Sequence, residues 1–371
     1  MKRKMGHILL TILAVFALFA GCTTIRSVGR SPRGELLERV RKSPQWDGKR
    51  FQNANPTPTM TSEQGTFKSM GHFMFGADKN KKPKADVPTL KIDLNSIDRA
   101  DDIVVWLGHS SLFVQVSGKR FLFDPVLTSK FPAGMALRPF RGSAVYSPDD
   151  IPDVDYLIIT HNHWDHLDYP TVKAIKDKVG AVYCSLGIGQ TFEYWKYPKE
   201  KIHDMDWQEA AALDNGINLY CLPARHFSGR LTGAGKTLWA SYLIETPVRK
   251  IFVSGDGGYD THFKEIGLQF PDIDLAVMEN GQYNEDWKYV HTLPSLLPRA
   301  IEDLGAKRVM TYHNSKFKLA LHAWNEPMEL IYRNSQDKPW TLLTPRIGET
   351  VTLDHDQEFQ LWWRTGAQIN N

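Results

Sequence analysis

The sequence predicts a mixed α/β fold of the α+β kind, in which strands outnumber helices and the two alternate irregularly. Three observations carry that expectation. Short runs rich in β-branched and aromatic residues recur from Ile103 onward, split by glycine turns. Hydrophobic residues make up 42% of the 371 and charged residues 23%, the balance of a globular chain with a real core. His and Asp residues stand just past several of those runs, on loops where functional groups usually sit. The length allows one large domain or two modest ones.

The chain opens on Lys2, Arg3 and Lys4, and an apolar run from Ile8 to Ala20 follows, too short to span a bilayer comfortably. It ends at Ala20-Gly21-Cys22. A basic start, an apolar stretch and small residues before a cut site describe a secretory signal over residues 1–21. The cysteine after Ala-Gly resembles the lipobox of bacterial lipoproteins, although Phe19 stands where Leu is usual and Leu18 sits one place early. That resemblance implies that Cys22 is lipidated and becomes the mature N-terminus. An uncleaved anchor helix is the alternative, and either arrangement puts the body outside the cytoplasm on a membrane. Thr23, in place of the Asp of inner-membrane retention, implies the outer membrane, facing the periplasm.

The formal net charge is +3, but the first residues bias it. Removing the three basic residues of the signal from 45 leaves 42, equal to the 42 acidic residues. No global positive field remains to gather phosphate backbones, so no nucleic-acid partner is expected. From Cys22 to about Ala100 there is no clear periodicity, with Pro56, Pro58, Pro83 and Pro88 among many polar residues. This stretch, 22–100, reads as a tether and an arm wrapping the core, ahead of a main domain over 101–371. It is rich in Lys and Arg, including Lys79, Lys81, Lys82 and Lys84. It is either a solvated linker or an arm lying near anionic lipid headgroups.

Ile103 to Leu107, Ser111 to Val116 and Arg120 to Phe123 read as a meander of strands, split by Gly108 and Ser117-Gly118. Asp155 to Thr160 is a compact apolar strand. Asp168 caps a helix with Pro170 in its first turn, running to about Val179. Further strands are expected at Ala181 to Ser185, Ile217 to Leu222, Thr237 to Glu245, Lys250 to Ser254, Leu275 to Glu279 and Lys307 to Tyr312. A helix fills Pro294 to Leu304. Cys184 and Cys221 sit in strand-like runs; an oxidising compartment permits a disulfide. Two buried free thiols are expected instead, because the spacing fits neither a metal motif nor a small disulfide scaffold.

His161-Asn162-His163-Trp164-Asp165-His166 packs three imidazoles and a carboxylate into six residues after a buried strand. Such ligands suit zinc and neighbouring transition metals. The i, i+2 spacing of His161 and His163 lets both reach one metal from an extended loop, and Asp165 and His166 then face a second position. His226, Asp256 and His313 each follow another probable strand. The Asp256 run, Val-Ser-Gly-Asp-Gly-Gly, has glycines that let the backbone bring a carboxylate close to a ligand. Singly each is weak; with the first cluster they make a constellation.

The order His-x-His-x-Asp-His, His, Asp, His resembles the metallo-β-lactamase superfamily. The resemblance implies an αββα sandwich with the site at one sheet edge. It implies that His161, His163 and His226 hold one metal, that Asp165, His166 and His313 hold another, and that Asp256 bridges. Two zinc ions are usual; iron and manganese occur in some branches. Within the superfamily, Trp106-Leu107-Gly108-His109-Ser110-Ser111, Phe123-Asp124-Pro125-Val126 and Ser254 to Tyr259 resemble N-acylphosphatidylethanolamine-hydrolysing phospholipase D. So do Phe263 to Gly267, Gly281-Gln282-Tyr283 and Tyr289-Val290-His291, over roughly Trp106 to Ala320. His313-Asn314-Ser315-Lys316-Phe317 departs from the usual His-Trp-Gly-Thr-Phe, and Gln282 stands where Ala is common, which bears on pocket shape and substrate choice.

The implied reaction is a two-metal displacement on a phospholipid. Cations about 3.5–4 Å apart hold a hydroxide that attacks phosphorus in line. Asp256 fixes the bridge, Asp165 orients the nucleophile, and His291 protonates or stabilises the leaving oxygen. His109 lies near the metals without binding them, and Asp124 holds loops by hydrogen bonds. His203, His262 and His322 are surface or packing residues. Phe131, Met135 and Leu137 face either lipid or core. A lactonase or other ester hydrolase of the same fold is the alternative enzyme; an envelope binding or stress protein with a vestigial metal site is the alternative class.

Overall fold

The computed structural model describes residues 25–62, 80–128, 137–231 and 233–365. Strands β1 (Ile103–Gly108), β2 (Ser111–Val116) and β3 (Lys119–Phe123) pair antiparallel, and every residue but Lys119 is buried. Alternate side chains leave opposite faces of a strand. Val104 and Trp106 therefore enter one core while Ile103, Val105 and Leu107 enter another. A strand buried on both faces must lie in the middle of a layered molecule.

The first sheet continues in parallel through β4 (Val154–Ile159), β5 (Val179–Ser185) and β6 (Ile202–Met205). The second contains β7 (Ala210–Ala212), β8 (Asn218–Leu222), β9 (Ser241–Glu245), β10 (Lys250–Val253), β11 (Leu275–Glu279), β12 (Arg308–Tyr312) and β13 (Thr341–Leu343). Its β7 to β10 half is antiparallel and its β10 to β13 half parallel. Strand β14 (Thr350–Thr352) returns to pair with β1, so among the described residues each sheet has seven strands.

Trp106, Phe121, Tyr242, Val253, Met310 and Trp362 belong to the central core, which both sheets share. Tyr169, Val172 and Phe192, from helices at Tyr169–Ala174 and Gly189–Tyr194, cover the outer face of the first sheet. Phe263, Leu297, Ile301 and Ile331, from helices at His262–Gln269, Leu297–Leu304 and Glu326–Asn334, cover the second. The layers are helix, sheet, sheet, helix, as the resemblance implies. With the arm helix Gly34–Lys42 as α1, these five are α2 to α6 in chain order.

Three expected elements are shorter than the sequence suggests by three residues or more, one of them β9, which starts at Ser241 rather than Thr237. Asp168 does cap α2, accepting from the Thr171 amide at 3.2 Å, but α2 stops at Ala174. A 3-10 turn at Lys176–Lys178 follows, and Val179 is already drawn into β5. Helix α5 starts at Leu297 rather than Pro294, with Pro298 in its first turn. Cys184 and Cys221 are free and buried in different cores, the outer one under α2 and α3 and the central one.

Residues 25–62 lie along the body. The Trp195 indole donates to Arg26 O (2.7 Å), Val40 and Phe51 join the central core, and the Thr61 amide donates to Asp286 O (2.7 Å). Lys81 is buried, while Lys82 and Lys84 are exposed. Leu137 is buried beside Val126 and Phe317. The expected signal, Cys22, Lys79, Phe131 and Met135 lie outside the described residues. Among the described residues no helix is long and apolar enough to cross a membrane.

Candidate metal centre

Four strands from both sheets end at one rim. Just past β4 stand His161, His163, Asp165 and His166; past β8, His226; past β10, Asp256; past β12, His313. Around His163 Nδ1, His161 Nε2 lies at 2.9 Å and His226 Nε2 at 3.2 Å. Beside this trio, His166 Nε2 and His313 Nε2 are 3.2 Å apart, and Asp165 Oδ2 is 3.3 Å from His313 Nε2. Asp256 Oδ2 stands between the groups, 3.2 Å from both His166 and His313, 3.8 Å from His226 and 4.0 Å from His161. All seven residues singled out from the sequence therefore converge.

The chemistry of this donor set fits divalent metal. The outer nitrogen of three histidines is already engaged. His161 Nδ1 meets Thr160 Oγ1 at 3.0 Å, His166 Nδ1 meets Asp124 Oδ2 at 2.8 Å, and His226 Nδ1 meets Val290 O at 2.7 Å. Each contact leaves the Nε2 lone pair aimed inward, the arrangement that orients imidazole ligands. Asp256 Oδ1 is buried with no hydrogen-bond partner, an orphan that a cation would satisfy. The ligating atoms of His161, His163 and His226 lie within 4.8 Å of one another, and so do those of Asp165, His166, Asp256 and His313.

Electrostatics divides the histidines. Burial holds His161 and His226 well below the usual range and His163 at about 4, so all three are neutral donors. Burial also opposes the charge on His166 and His313, yet Asp256 and the other carboxylates raise His166 well above its ordinary value and His313 to about 9. Against the cost of burial, contacts with His109 and His313 keep Asp165 ionised, and the positive charge of His166 and His313 keeps Asp256 ionised. Two carboxylates in a pocket of imidazoles draw positive charge, which bound metal supplies without protons.

The surrounding shell is strained. His109, Asp124 and His313 have φ of +53°, +41° and +67°. Such left-handed backbone costs about 1–3 kcal/mol each in non-glycine residues and collects at functional sites. Gly255 has φ +60°, and a Cβ there would lie 2.5 Å from Ala240 O. Only glycine admits that approach, which sets the backbone of Asp256. His109 Nε2 meets Asp165 Oδ2 at 3.0 Å; burial takes this imidazole down to about 3, so it is the neutral donor. Asp124 also accepts from the Thr160 amide (2.9 Å), joining the β3 and β4 ends. His291 is 14% exposed, with Nδ1 2.9 Å from Glu279 Oε1. His203 is exposed, His262 packs on Phe263, and His322 accepts from the Gln282 amide at 2.9 Å.

Several contributors carry no motif of their own. Arg230, 3% exposed, donates to the carbonyls of Asn162 (2.5 Å), His163 (3.3 Å) and Leu167, gripping the His loop from behind. Asn53, in the arm, brackets His226 by donating to its carbonyl (2.7 Å) and accepting from its amide (3.0 Å). Glu279 orients His291 and accepts from the Thr292 amide (3.2 Å). It ends the apolar strand β11, and this strand-end position could have found it. The departures at 282 and 316 are structural. Gln282 donates to His313 O (3.2 Å) and accepts from the Leu319 amide (2.9 Å), while the buried Lys316 donates to Val126 O (2.9 Å).

Comparison with known proteins agrees with this geometry. A family model described as a beta-lactamase superfamily domain matches residues 119–314, which hold all seven converging residues. An uncharacterized protein of Mycobacterium tuberculosis is 29% identical over 356 residues, 94% of this chain and 92% of its own. The mitochondrial N-acyl-phosphatidylethanolamine-hydrolyzing phospholipase D of Saccharomyces cerevisiae is 30% identical over 277 residues, 67% of this chain and 55% of its own. Outer membrane protein RomA of Klebsiella pneumoniae is 53% identical over 97 residues, 26% of this chain and 74% of its own. Among solved structures, a metallo hydrolase from Ignicoccus hospitalis superposes with TM-score 0.54 at 18% identity, covering 70% of this chain and all of its own. The chain belongs to the β-lactamase superfamily, as a metal-dependent hydrolase with the metallo-β-lactamase fold that resembles the N-acylphosphatidylethanolamine-hydrolysing phospholipases D.

Proposed function

We propose that this protein is a binuclear zinc phosphodiesterase of phospholipase D type, cleaving N-acylphosphatidylethanolamine or a related phospholipid. The observation that carries the reading is the place of Asp256 Oδ2, within 3.2–4.0 Å of histidines from both halves of the cluster. His161, His163 and His226 would hold one ion, Asp165, His166 and His313 the other, and Asp256 both. Such ions supply Lewis acidity to a phosphoryl oxygen and lower the pKa of a water. Asp165, held by His109, accepts and orients the proton of the attacking water. His291, with Nδ1–H held by Glu279, gives the proton on Nε2 to the leaving oxygen.

The lipobox resemblance at Cys22 supports a lipid-anchored protein of the cell envelope, and the likeness to an outer membrane protein supports the outer membrane. An anchor holds the site at a bilayer surface, where a phospholipid substrate lies. Purified protein is to be assayed on N-acylphosphatidylethanolamine beside Asp256→Asn. Phosphatidic acid released by the wild type alone supports the reading. Turnover of lactones without phospholipid turnover contradicts it.

A further inference from the structure

Behind the His161–His166 loop, apart from the seven converging residues, lies a cavity of about 320 Å³. Its walls come from residues 28–33 of the arm, from the loop after His226 and from Asn162. Arg30, Arg33, Arg230 and Lys236 line it, with no Asp or Glu in the lining. Among the described residues none of these four forms an ion pair. The Arg30 guanidinium lies over the Tyr194 ring at 4.2 Å, and Lys236 Nζ donates to Lys49 O at 2.5 Å. Arg230 gives its N–H groups to four carbonyls, those of Ser27, Asn162, His163 and Leu167.

Carbonyls satisfy hydrogen bonds but do not cancel charge. The Arg230 guanidinium, 3% exposed, has no carboxylate in contact; Asp168 and Asp165 favour its charge only from a distance, so part of its field reaches the cavity. Three further cations around the same hollow, Lys236 half-buried and Arg30 and Arg33 exposed, raise that potential. With the Arg230 fork given to carbonyls, the planar guanidinia of Arg30 and Arg33 are the ones that match the oxygens of a phosphate, and Ser31 adds a hydroxyl to the lining. We propose that this cavity binds a phosphate ester, at a site separate from the metal centre and independent of the reaction proposed there.

The volume exceeds a bare phosphate and leaves room for an attached glycerol-sized group. Two sources share that chemistry, a phospholipid headgroup and a free phosphate. Arg30 is eight residues beyond Cys22. If Cys22 is lipidated, even a fully extended chain keeps Arg30 within about 28 Å of the bilayer. An occupied cavity would also touch Asn162, between two of the converging histidines, so headgroup binding is positioned to be sensed by the His loop.

The test is calorimetric titration of the metal-loaded full chain in detergent with inorganic phosphate, glycerol phosphate, and short-chain phosphatidylglycerol and phosphatidylcholine. Wild type shows a binding event, retained in Asp256→Asn, that Arg33→Glu and Lys236→Glu each weaken at least tenfold. The milder Arg33→Gln weakens it about fivefold, the effect of one surface cation, and guards against misfolding of the reversals. Lys264→Glu, on α4, leaves it unchanged. Phosphatidylglycerol binding tenfold tighter than inorganic phosphate identifies a headgroup, and the reverse order a free phosphate. Equal affinities in wild type, Arg33→Glu and Lys236→Glu, or no binding of any phosphate compound, overturn the proposal. Any binding to the metal centre is recognised by its loss in Asp256→Asn, so failure of the phospholipase reading leaves the cavity result readable.

Discussion

Asp256 Oδ2 touches both halves of the cluster while its other oxygen is buried without a hydrogen-bond partner, a position that a cation beside it would satisfy. The surrounding residues divide by what they touch. His291 meets Glu279 and stays partly exposed, so His291→Gln is expected to lower turnover by roughly 10²–10⁴ with metal content unchanged. A parallel fall in metal content contradicts that role. Asp124 meets the outer nitrogen of His166 instead, so Asp124→Asn is expected to weaken metal binding roughly 10–100-fold, measured by competition with a chelating dye. The seven converging residues were legible in the sequence because imidazoles and carboxylates rarely gather after apolar strands without a task. Arg230 and Asn53 were not, because the backbone groups they hold carry no side-chain signature. Only the fold brings residue 53 to residue 226.

The elements that present the centre are strand ends, and those strands were legible for a physical reason. Strands β4, β10, β11 and β12 are apolar runs buried on both faces, which sequence shows directly. Strands β7, β13 and β14 have three residues each and exist because a partner strand pairs with them. Helix α1 eluded the periodicity reading because, among its nine residues, only Val40 is fully buried. At the far end, α6 is tied to the C-terminal segment by Glu329, which accepts from Arg364 (2.8 Å), Trp363 (3.0 Å) and Arg333 (2.7 Å). The Arg364 contact, first among these, lowers Glu329 from 4.5 to about 2. A depressed carboxyl stabilises the fold fully above its unfolded value and loses that contribution as pH falls through the folded one. The Tm gap between wild type and Glu329→Gln is thus expected to close between pH 4.5 and about 2. A gap that stays constant over that range contradicts the pairing.

At the scale of the whole molecule, the αββα order was implied by the ligand pattern, while the route of the ends was not. The arm enters the central core through Val40 and Phe51 and brackets His226, and the C-terminal residues supply an edge strand to each sheet. Closing both sheets joins distant parts of the chain around one charged centre. Metal removal is therefore expected to lower global stability. Ligand linkage gives about 4 kcal/mol when free metal exceeds its dissociation constant a thousandfold, read as a fall in Tm on adding chelator and its return on adding zinc. A Tm indifferent to chelator argues against a metal-linked fold. The central claim is that these seven residues bind two metal ions, and the most direct measurement is metal content per chain by mass spectrometry. Two divalent ions per wild-type chain, and a clear loss in both Asp256→Asn and His226→Ala, are the predicted result. Less than one ion per chain after incubation with excess metal, or a content the two variants leave unchanged, would contradict it.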